Sequence, residues 1–265
     1  IIRWADPVTF TAAHFIVYWD MQPSAANKKQ LVEPFYELSC HNCPVLDCSV
    51  LRHCTQDCLE KIDKLKKVVG FFKGQRILLE GNPARGVYFL LQGKVKLFKT
   101  DVRGQEVIIR FAKPGDIVGL SVNTERPENE VSATAMEDTM LCHVNHDAFV
   151  ELLNSDAKLA FELLRFYRAE LHKTEMRSLK LATMTVQEKV ADALVTIYEA
   201  YGAEGKQRTL CLELSRQDIG NLAGTTKEQV SKVLTDLKNK GMIDTNGKQI
   251  DLINLSALMQ LAGLA

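Results

Sequence analysis

The hydrophobic positions change period several times along the chain, and each change marks a new element. Residues 1–39 carry no sustained period and read as a flexible arm; residues 40–58 form a cysteine-rich segment. Leu59, Ile62, Leu65 and Val69 then recur at helical spacing, which predicts a short amphipathic helix over 59–70. From 73 to 145 short apolar runs are cut by Lys73-Gly74-Gln75, Glu80-Gly81-Asn82-Pro83, Gln92-Gly93, Arg103-Gly104 and Pro114-Gly115-Asp116. Turn signals at this density predict an antiparallel β-barrel or jelly roll over 59–150. Helical period returns near Asp147 and runs to about Leu181. Within it Leu164, Tyr167, Leu171, Thr174, Ser178 and Leu181 step by three and four, the spacing of a coiled-coil seam, so 151–184 reads as a dimerisation helix. The alternative is that this face packs on the chain's own barrel. Thr174 and Ser178 are polar at seam positions, which weakens pairing and makes a dimer conditional.

A further helix is expected at about 186–201, then a glycine-bounded loop and a strand-like Thr209–Leu214. Ser215-Arg216-Gln217-Asp218 has the form of a helix start with an acid three residues after the capping serine, and Gly224 ends the helix. Thr226 then caps a second helix with Gln229 at the capping-box position, and Val230, Val233, Leu234 and Leu237 supply its buried stripe. The opposite face presents Lys227, Glu228, Ser231 and Lys232. Polar residues in the first turn and a half of the second helix of such a pair reach base edges in the DNA major groove. Glutamate accepts from cytosine N4, and lysine donates to guanine O6 and N7. Asn246-Gly247 between two apolar runs predicts a type I′ hairpin, hence a wing, so 185–265 reads as a winged helix-turn-helix.

Charge adds nothing to that reading. Lysine plus arginine and aspartate plus glutamate number 33 each, and residues 185–265 hold nine basic against ten acidic residues. DNA affinity must therefore come from local placement and from presenting the helix twice. No apolar run after position 26 reaches the roughly 18–20 residues of a membrane span, so a cytoplasmic protein with no membrane partner is the expectation. Residues 1–20 lack both the basic start and the cleavage site of a signal peptide, and Met21 is the expected natural start. Five of the seven cysteines, Cys40, Cys43, Cys48, Cys54 and Cys58, crowd into 40–58, which points to a metal, a cluster or redox chemistry rather than a disulfide framework. No P-loop, G-x-S-x-G or H-E-x-x-H is present, and the chain is read as a non-enzyme. The rival class is a thiol or electron-transfer protein using Cys40 and Cys43, which would leave the capped helical pair without a role.

Gln217-Asp218-Ile219-Gly220, Gly224-Thr225-Thr226-Lys227-Glu228-Gln229-Val230-Ser231-Lys232 and Lys240-Gly241-Met242-Ile243 resemble the signature of the CRP/FNR superfamily of bacterial regulators. The resemblance extends over roughly 40–265. It implies an α+β chain with a cyclic-nucleotide-binding-like jelly roll, a long dimerisation helix and a winged helix-turn-helix. It also implies a homodimer on double-stranded DNA, with RNA polymerase as a further partner. Carried over residue by residue, Glu228, Ser231 and Lys232 would contact an inverted repeat resembling TTGA and TCAA. Arg216, Thr226, Lys227 and Gln229 complete the expected DNA surface. Lys232 stands where the family has arginine, and lysine lacks the planar two-pronged donor.

Members of this superfamily differ in the signal they sense. Asn129-Glu130 occupies the place of the Arg-Ser pair that holds a cyclic nucleotide's phosphate, so cyclic AMP is not expected. Cys40-x2-Cys43-x4-Cys48 resembles the amino-terminal run of the branch typified by the fumarate and nitrate reduction regulator, one residue short in its second gap. Ala135–Cys142 resembles the barrel stretch carrying that branch's fourth ligand. The resemblance thus implies an oxygen-labile 4Fe-4S cluster on Cys40, Cys43, Cys48 and Cys142, with Cys54 and Cys58 as alternate ligands. Zinc, a dithiol, haem or a small ligand remain alternative controls. The expected mechanism is that cluster assembly draws the amino-terminal loop onto the barrel at Cys142 and repacks the start of the long helix.

Overall fold

Short polar caps open nearly every helix of this chain, and they set where the elements begin. The structure is a computed structural model that describes residues 38–120, 127–205 and 208–264. The expectations for residues 1–37 fall outside the described residues. Three short 3₁₀ turns, Cys40–Asn42, Leu46–Cys48 and Val50–His53, carry the cysteine segment, the first and third capped by Ser39 and Ser49. Helix α1 (Gln56–Leu65) follows, its N-cap Thr55 accepting from the Cys58 N–H. The expected helix over 59–70 is thus displaced toward its N-terminus. Val69 belongs to strand β1 (Lys67–Phe71), and Leu65 is exposed at the helix end. The helical spacing of Val69 was accidental, because a buried strand residue and a buried helix residue look alike in so short a run.

The barrel is built from β1, β2 (Arg76–Leu78), β3 (Gly86–Gln92), β4 (Val95–Thr100), β5 (Glu106–Ala112), β6 (Ile117–Val118), β7 (Ser132–Ala135) and β8 (Thr139–Asn145). They form two antiparallel sheets of order β1-β8-β3-β6 and β2-β7-β4-β5, the jelly-roll-like pair that the turn spacing leads one to expect. Val69, Leu78, Leu90, Val95, Leu97, Val118 and Leu141 fill the space between them. Cys142 sits on β8, held on both sides by Val68 of β1 and Phe89 of β3, so its position is rigid.

The predicted continuous helix from Asp147 to Leu181 is two helices, α2 (His146–Ser155) and α3 (Ala157–Thr183), separated by Asp156. Asp156 is extended, at φ −123° and ψ 97°, and caps α3 through the Lys158 and Leu159 N–H groups. Phe161, Leu164, Tyr167 and Leu171 of α3 face outward, with Leu164 65% exposed in the single chain. Thr174 and Ser178 turn their hydroxyls back onto the Glu170 and Thr174 carbonyls, each at 2.9 Å. Leu181 departs from the predicted outward stripe: it is half-buried and lies against Gly224. An α-helix drifts by about 20° per heptad against a 3.5 repeat, which carries the last seam position round to the inner side.

Helix α4 (Val186–Tyr201) opens with a capping box of Thr185 and Glu188. The winged domain then comprises β9 (Ala203–Glu204), β10 (Thr209–Leu210), α5 (Arg216–Ala223), α6 (Lys227–Asn239), β11 (Ile243–Asn246), β12 (Gln249–Leu252) and α7 (Leu255–Leu261). The expected strand to Leu214 stops at Leu210, while Leu212 and Leu214 still point into the core. The wing turn differs from expectation. Asn246 pairs with Gln249, so Gly247 and Lys248 form the loop, and only Gly247 has a positive φ, of 60°. That is the II′ pattern with glycine first, rather than I′.

Asp156 serves both α3 and the cysteine segment: its Oδ2 accepts from the Thr55 N–H and the Thr55 hydroxyl, each at 2.7 Å. Burial opposes its ionisation, but the hydrogen bonds from Thr55, Leu159 and Lys158 prevail and hold its pKa at about 2. Asp156→Ala is expected to cost roughly 2 kcal/mol or more from the lost cap and charged hydrogen bonds, lowering Tm by about 4–8 °C. Because the folded pKa is depressed from 3.8, the stability that the carboxylate contributes is present above pH 4 and is lost as pH falls through about 2. Thermal melts of Asp156→Asn between pH 5 and 2 should therefore show a shallower acid loss than the unaltered chain.

Candidate functional site

The first of two candidate sites gathers the cysteines. Ser39 and Asp63 fix the start of the segment: the Cys40 N–H donates to Asp63 Oδ1 at 2.6 Å and the Ser39 hydroxyl donates to Oδ2 at 3.1 Å. Lys66, at the C-terminal cap of α1, hydrogen-bonds Asp63 and donates from Nζ to Cys40 Sγ at 3.4 Å. Cys40, Cys43 and Cys142 line one cavity of about 30 Å³, together with Lys66, Phe89 and Gly115. Cys48 lies at its edge, its thiol donating to the Val45 carbonyl at 3.2 Å and to the Pro114 carbonyl at 3.6 Å. A Cβ on Gly115 would stand 2.6 Å from Cys48 Sγ, so only glycine admits the segment this close to the barrel.

Burial raises the Cys40, Cys43 and Cys142 thiols, Cys142 to about 12 and Cys40 to about 11, while the Lys66 ammonium pulls all three the other way. Cys40 and Cys43 also act on Cys142, and Cys48 acts on Cys43. Cys54 and Cys58 lie elsewhere: they hydrogen-bond each other beside Asp156, and burial, then Cys54 and Asp156, push Cys58 up to about 12. Of the preferred set, Cys40, Cys43 and Cys142 meet at one cavity with Cys48 nearby against Pro114 and Gly115, while the alternates Cys54 and Cys58 lie apart beside Asp156. Cys211 is in the winged domain near Glu204, well outside this group.

Among the described residues, no three His, Cys, Asp or Glu side chains stand at the spacing that holds a single metal ion. The chemistry of the donors nevertheless fits a thiolate-held cluster: soft sulfur ligands, an apolar wall and one ammonium to offset their charge. The cavity has the volume of about one water molecule, so this segment is already closed onto the barrel. Residues 39–58 lie against the barrel at the Cys48, Pro114 and Gly115 contacts. Asp63 and Lys66 were not singled out from sequence. Their signal was a charged pair three apart at the end of a helix directly after the cysteines, a pattern too common to be read without the fold.

At the other place in the nucleotide-binding-like barrel, Asn129 closes a loop against the Gly81-Asn82 turn, with Asn129 N–H to Asn82 O at 2.8 Å and Gly81 N–H to Asn129 O at 2.9 Å. Glu130 beside it is exposed.

The second candidate site is the helical pair. Ser215 and Asp218 cap α5 reciprocally, and Gly224, left-handed at φ 64°, ends it. Gly220 permits the tight crossing, since a Cβ there would meet the Thr225 carbonyl oxygen at 2.7 Å. Thr226 caps α6 through the Gln229 N–H, but the Gln229 side chain bonds the Thr225 hydroxyl instead of returning to the Thr226 N–H, so the expected box is half formed. Thr226, Lys227, Glu228, Gln229, Ser231 and Lys232 are exposed at the start of α6, and Arg216 is half-buried at the start of α5. Hydrogen bonds from its own N–H and from the Thr226 hydroxyl hold the Glu228 carboxyl below its ordinary range. It therefore stays an acceptor, as contact with a cytosine amino group requires. Val230, Val233, Leu234 and Leu237 are buried as predicted.

Residues 68–156 match the family described as a cyclic nucleotide-binding domain, and residues 188–261 match the Crp-like helix-turn-helix domain. The transcriptional activator protein Anr of Pseudomonas aeruginosa is 31% identical over 225 residues, covering 82% of this chain and 91% of that one. The fumarate and nitrate reduction regulatory protein of Vibrio cholerae is 28% identical, covering 83% and 90%. Among solved structures, FixK2 from Bradyrhizobium japonicum superposes with a TM-score of 0.65 at 29% identity, covering 74% of this chain and 96% of that one. A CRP/FNR-family regulator from Thermus thermophilus gives 0.62 at 27%, covering 74% and 98%. With the capped helical pair, the wing and the double-sheet barrel, this likeness establishes that the chain belongs to the CRP/FNR family of DNA-binding transcription regulators.

Proposed function

We propose that this regulator is oxygen- or redox-responsive, with Cys40, Cys43, Cys48 and Cys142 as ligands of a 4Fe-4S cluster and an inverted TTGA/TCAA-like repeat as its operator. The observation that carries the reading is the convergence of three segment and barrel thiols, Cys40, Cys43 and Cys142, on one cavity, with Cys48 at its edge. The names of the relatives, anaerobic and fumarate and nitrate reduction regulators among them, point the same way. A thiolate-held cluster of this kind supplies an oxygen-labile centre.

The chain's own residues do the rest. Lys66 offsets thiolate charge beside Cys40, and Asp63 holds both Lys66 and the Cys40 backbone in place. Displacement of the segment acts on α3 through two contacts, Thr55 with Asp156 and Arg52 with Glu162 at 3.6 Å. Pairing of α3 with a second copy would cover Phe161, Leu164 and Leu171 and set two copies of α6 about 34 Å apart, one DNA turn. The balanced overall charge leaves specificity to Glu228, Ser231 and Lys232.

Anaerobically purified protein should contain iron and sulfide and show visible charge-transfer absorption. Cys40→Ser, Cys43→Ser, Cys48→Ser and Cys142→Ser should each lose it, while Cys54→Ser and Cys58→Ser retain it. Iron-free protein, or loss confined to the Cys54 and Cys58 variants, contradicts the ligand set. In gel shifts on the inverted repeat, Glu228→Ala should lower discrimination against a changed cytosine by at least about fivefold. Equal binding to scrambled DNA would contradict the operator.

A further inference from the structure

Lys66 stands at the joint between α1 and β1. Its N–H donates to the Ile62 carbonyl at 2.8 Å and closes the helix, and the next residues, Lys67 and Val68, pair with His143 and Cys142 of β8. The backbone is fixed on both sides, and the side chain, 9% exposed, turns into the cavity that Cys40, Cys43 and Cys142 line. There Nζ bonds Asp63 Oδ1 and, at 3.4 Å, Cys40 Sγ. Burial favours the neutral amine, yet Asp63 and Cys40 outweigh it and the Lys66 pKa lies above its ordinary value. A full positive charge therefore sits against a ligand sulfur.

A buried ion pair gives little stability over an apolar pair of the same size, so the fold alone does not account for an ammonium at this place. The thiols do. Lys66 acts on Cys40, Cys43 and Cys142 against the burial that disfavours their thiolates. Asp63 opposes it at Cys40 with the smaller effect, and the Asp63 oxygens are already engaged by the Cys40 N–H and the Ser39 hydroxyl. Cys48 differs from the other three: it is exposed, and its thiol meets the Val45 and Pro114 carbonyls instead of a cation.

Hydrogen bonds to the sulfurs and exposure to solvent set the potential of a thiolate-held iron–sulfur centre. A cation in such a bond favours the electron-rich state, whereas oxidation by dioxygen takes one electron away and yields superoxide. We propose that Lys66, held by Asp63 and hydrogen-bonded to Cys40, sets how readily the site gives an electron to dioxygen. Its charge slows that oxidation and so fixes the oxygen level to which the regulator responds. Lys66 is a positioning residue, acting through Cys40, and its role rests on the cluster ligand set proposed above.

The test uses the full chain, purified without air and loaded with iron and sulfide, as K66M, K66Q and K66R beside the unaltered protein. K66M removes charge and donor, K66Q keeps a donor, and K66R keeps both. Two quantities are read: the rate at which visible absorption is lost in air-saturated buffer, and the midpoint potential from an anaerobic dye titration. K66M should bleach about tenfold faster, the scale on which losing a partner of a metal ligand is felt, with a lower midpoint potential. K66Q should fall between, and K66R should restore both values. If K66M takes up no iron, K66Q against K66R carries the same comparison. Bleaching no faster than in the unaltered chain overturns the role of Lys66. So does faster bleaching at an unchanged midpoint potential with a lowered Tm of the metal-free chain, because Lys66 would then only hold the segment in place. Iron uptake with bleaching blind to Lys66 removes this role alone, whereas an unaltered chain that takes up no iron removes the ligand set and this role with it.

Discussion

Two helix N-termini depend on one carboxylate. Each N-terminus leaves backbone N–H groups without a partner inside its helix, and Asp156 meets this need for α3 directly and for α1 through Thr55. Its Oδ1 accepts from Lys158 and Leu159 of α3, at 2.9 and 3.1 Å. Its Oδ2 accepts twice from Thr55, the residue whose hydroxyl oxygen caps α1. At 3% exposure the carboxylate has no water to fall back on. The cysteine segment therefore cannot move away from α3 without leaving a buried anion short of donors, which costs several kcal/mol.

That constraint gives the fold its continuity. The cysteine segment is joined to the barrel by the Cys48 and Gly115 contact and to α1 by Asp63, and it meets α3 at Asp156 and Glu162. Helix α3 runs 27 residues and, near its far end, Arg177 holds the barrel and the first helix of the DNA-reading pair together. Polar contacts thus connect the thiol segment to α3 and, near its far end, α3 to the barrel and to the first helix of the DNA-reading pair. The outward face of α3 lies along the same path, so the proposed pairing with a second copy would involve the helix that also contacts the winged domain.

Much of this was legible in the sequence, and the reasons differ by element. The helical pair was readable because capping is local: Ser215 with Asp218 and Thr226 with Gln229 announce the starts of α5 and α6, and Gly224 announces the end of α5. The barrel was readable from its turns. The boundaries that shifted are those where tertiary packing decided. Val69 went to a strand because β8 pairs with it, and Asp156 broke one predicted helix into two because its carboxylate was required by Thr55. The wing turn shifted by one residue because the strand pairing Asn246↔Gln249 sets the loop, not the Asn-Gly dipeptide. Of the cysteines, spacing alone left five candidates, the family resemblance preferred Cys40, Cys43 and Cys48, and the fold places Cys54 and Cys58 apart beside Asp156. Lys66 and Arg177 were invisible beforehand, since a lone basic residue acquires meaning only from carboxylates, thiols or carbonyls brought to it from distant parts of the chain.

In the proposed mechanism the thiols and the start of α3 act as one unit. Hydrogen exchange on anaerobic, iron-loaded protein before and after exposure to air tests it most directly. Protection should change together over Cys40–Leu65 and Ala157–Tyr167, with the barrel strands β3 and β4 unaffected. A change confined to the cysteine segment, with α3 exchanging alike in both conditions, would contradict it.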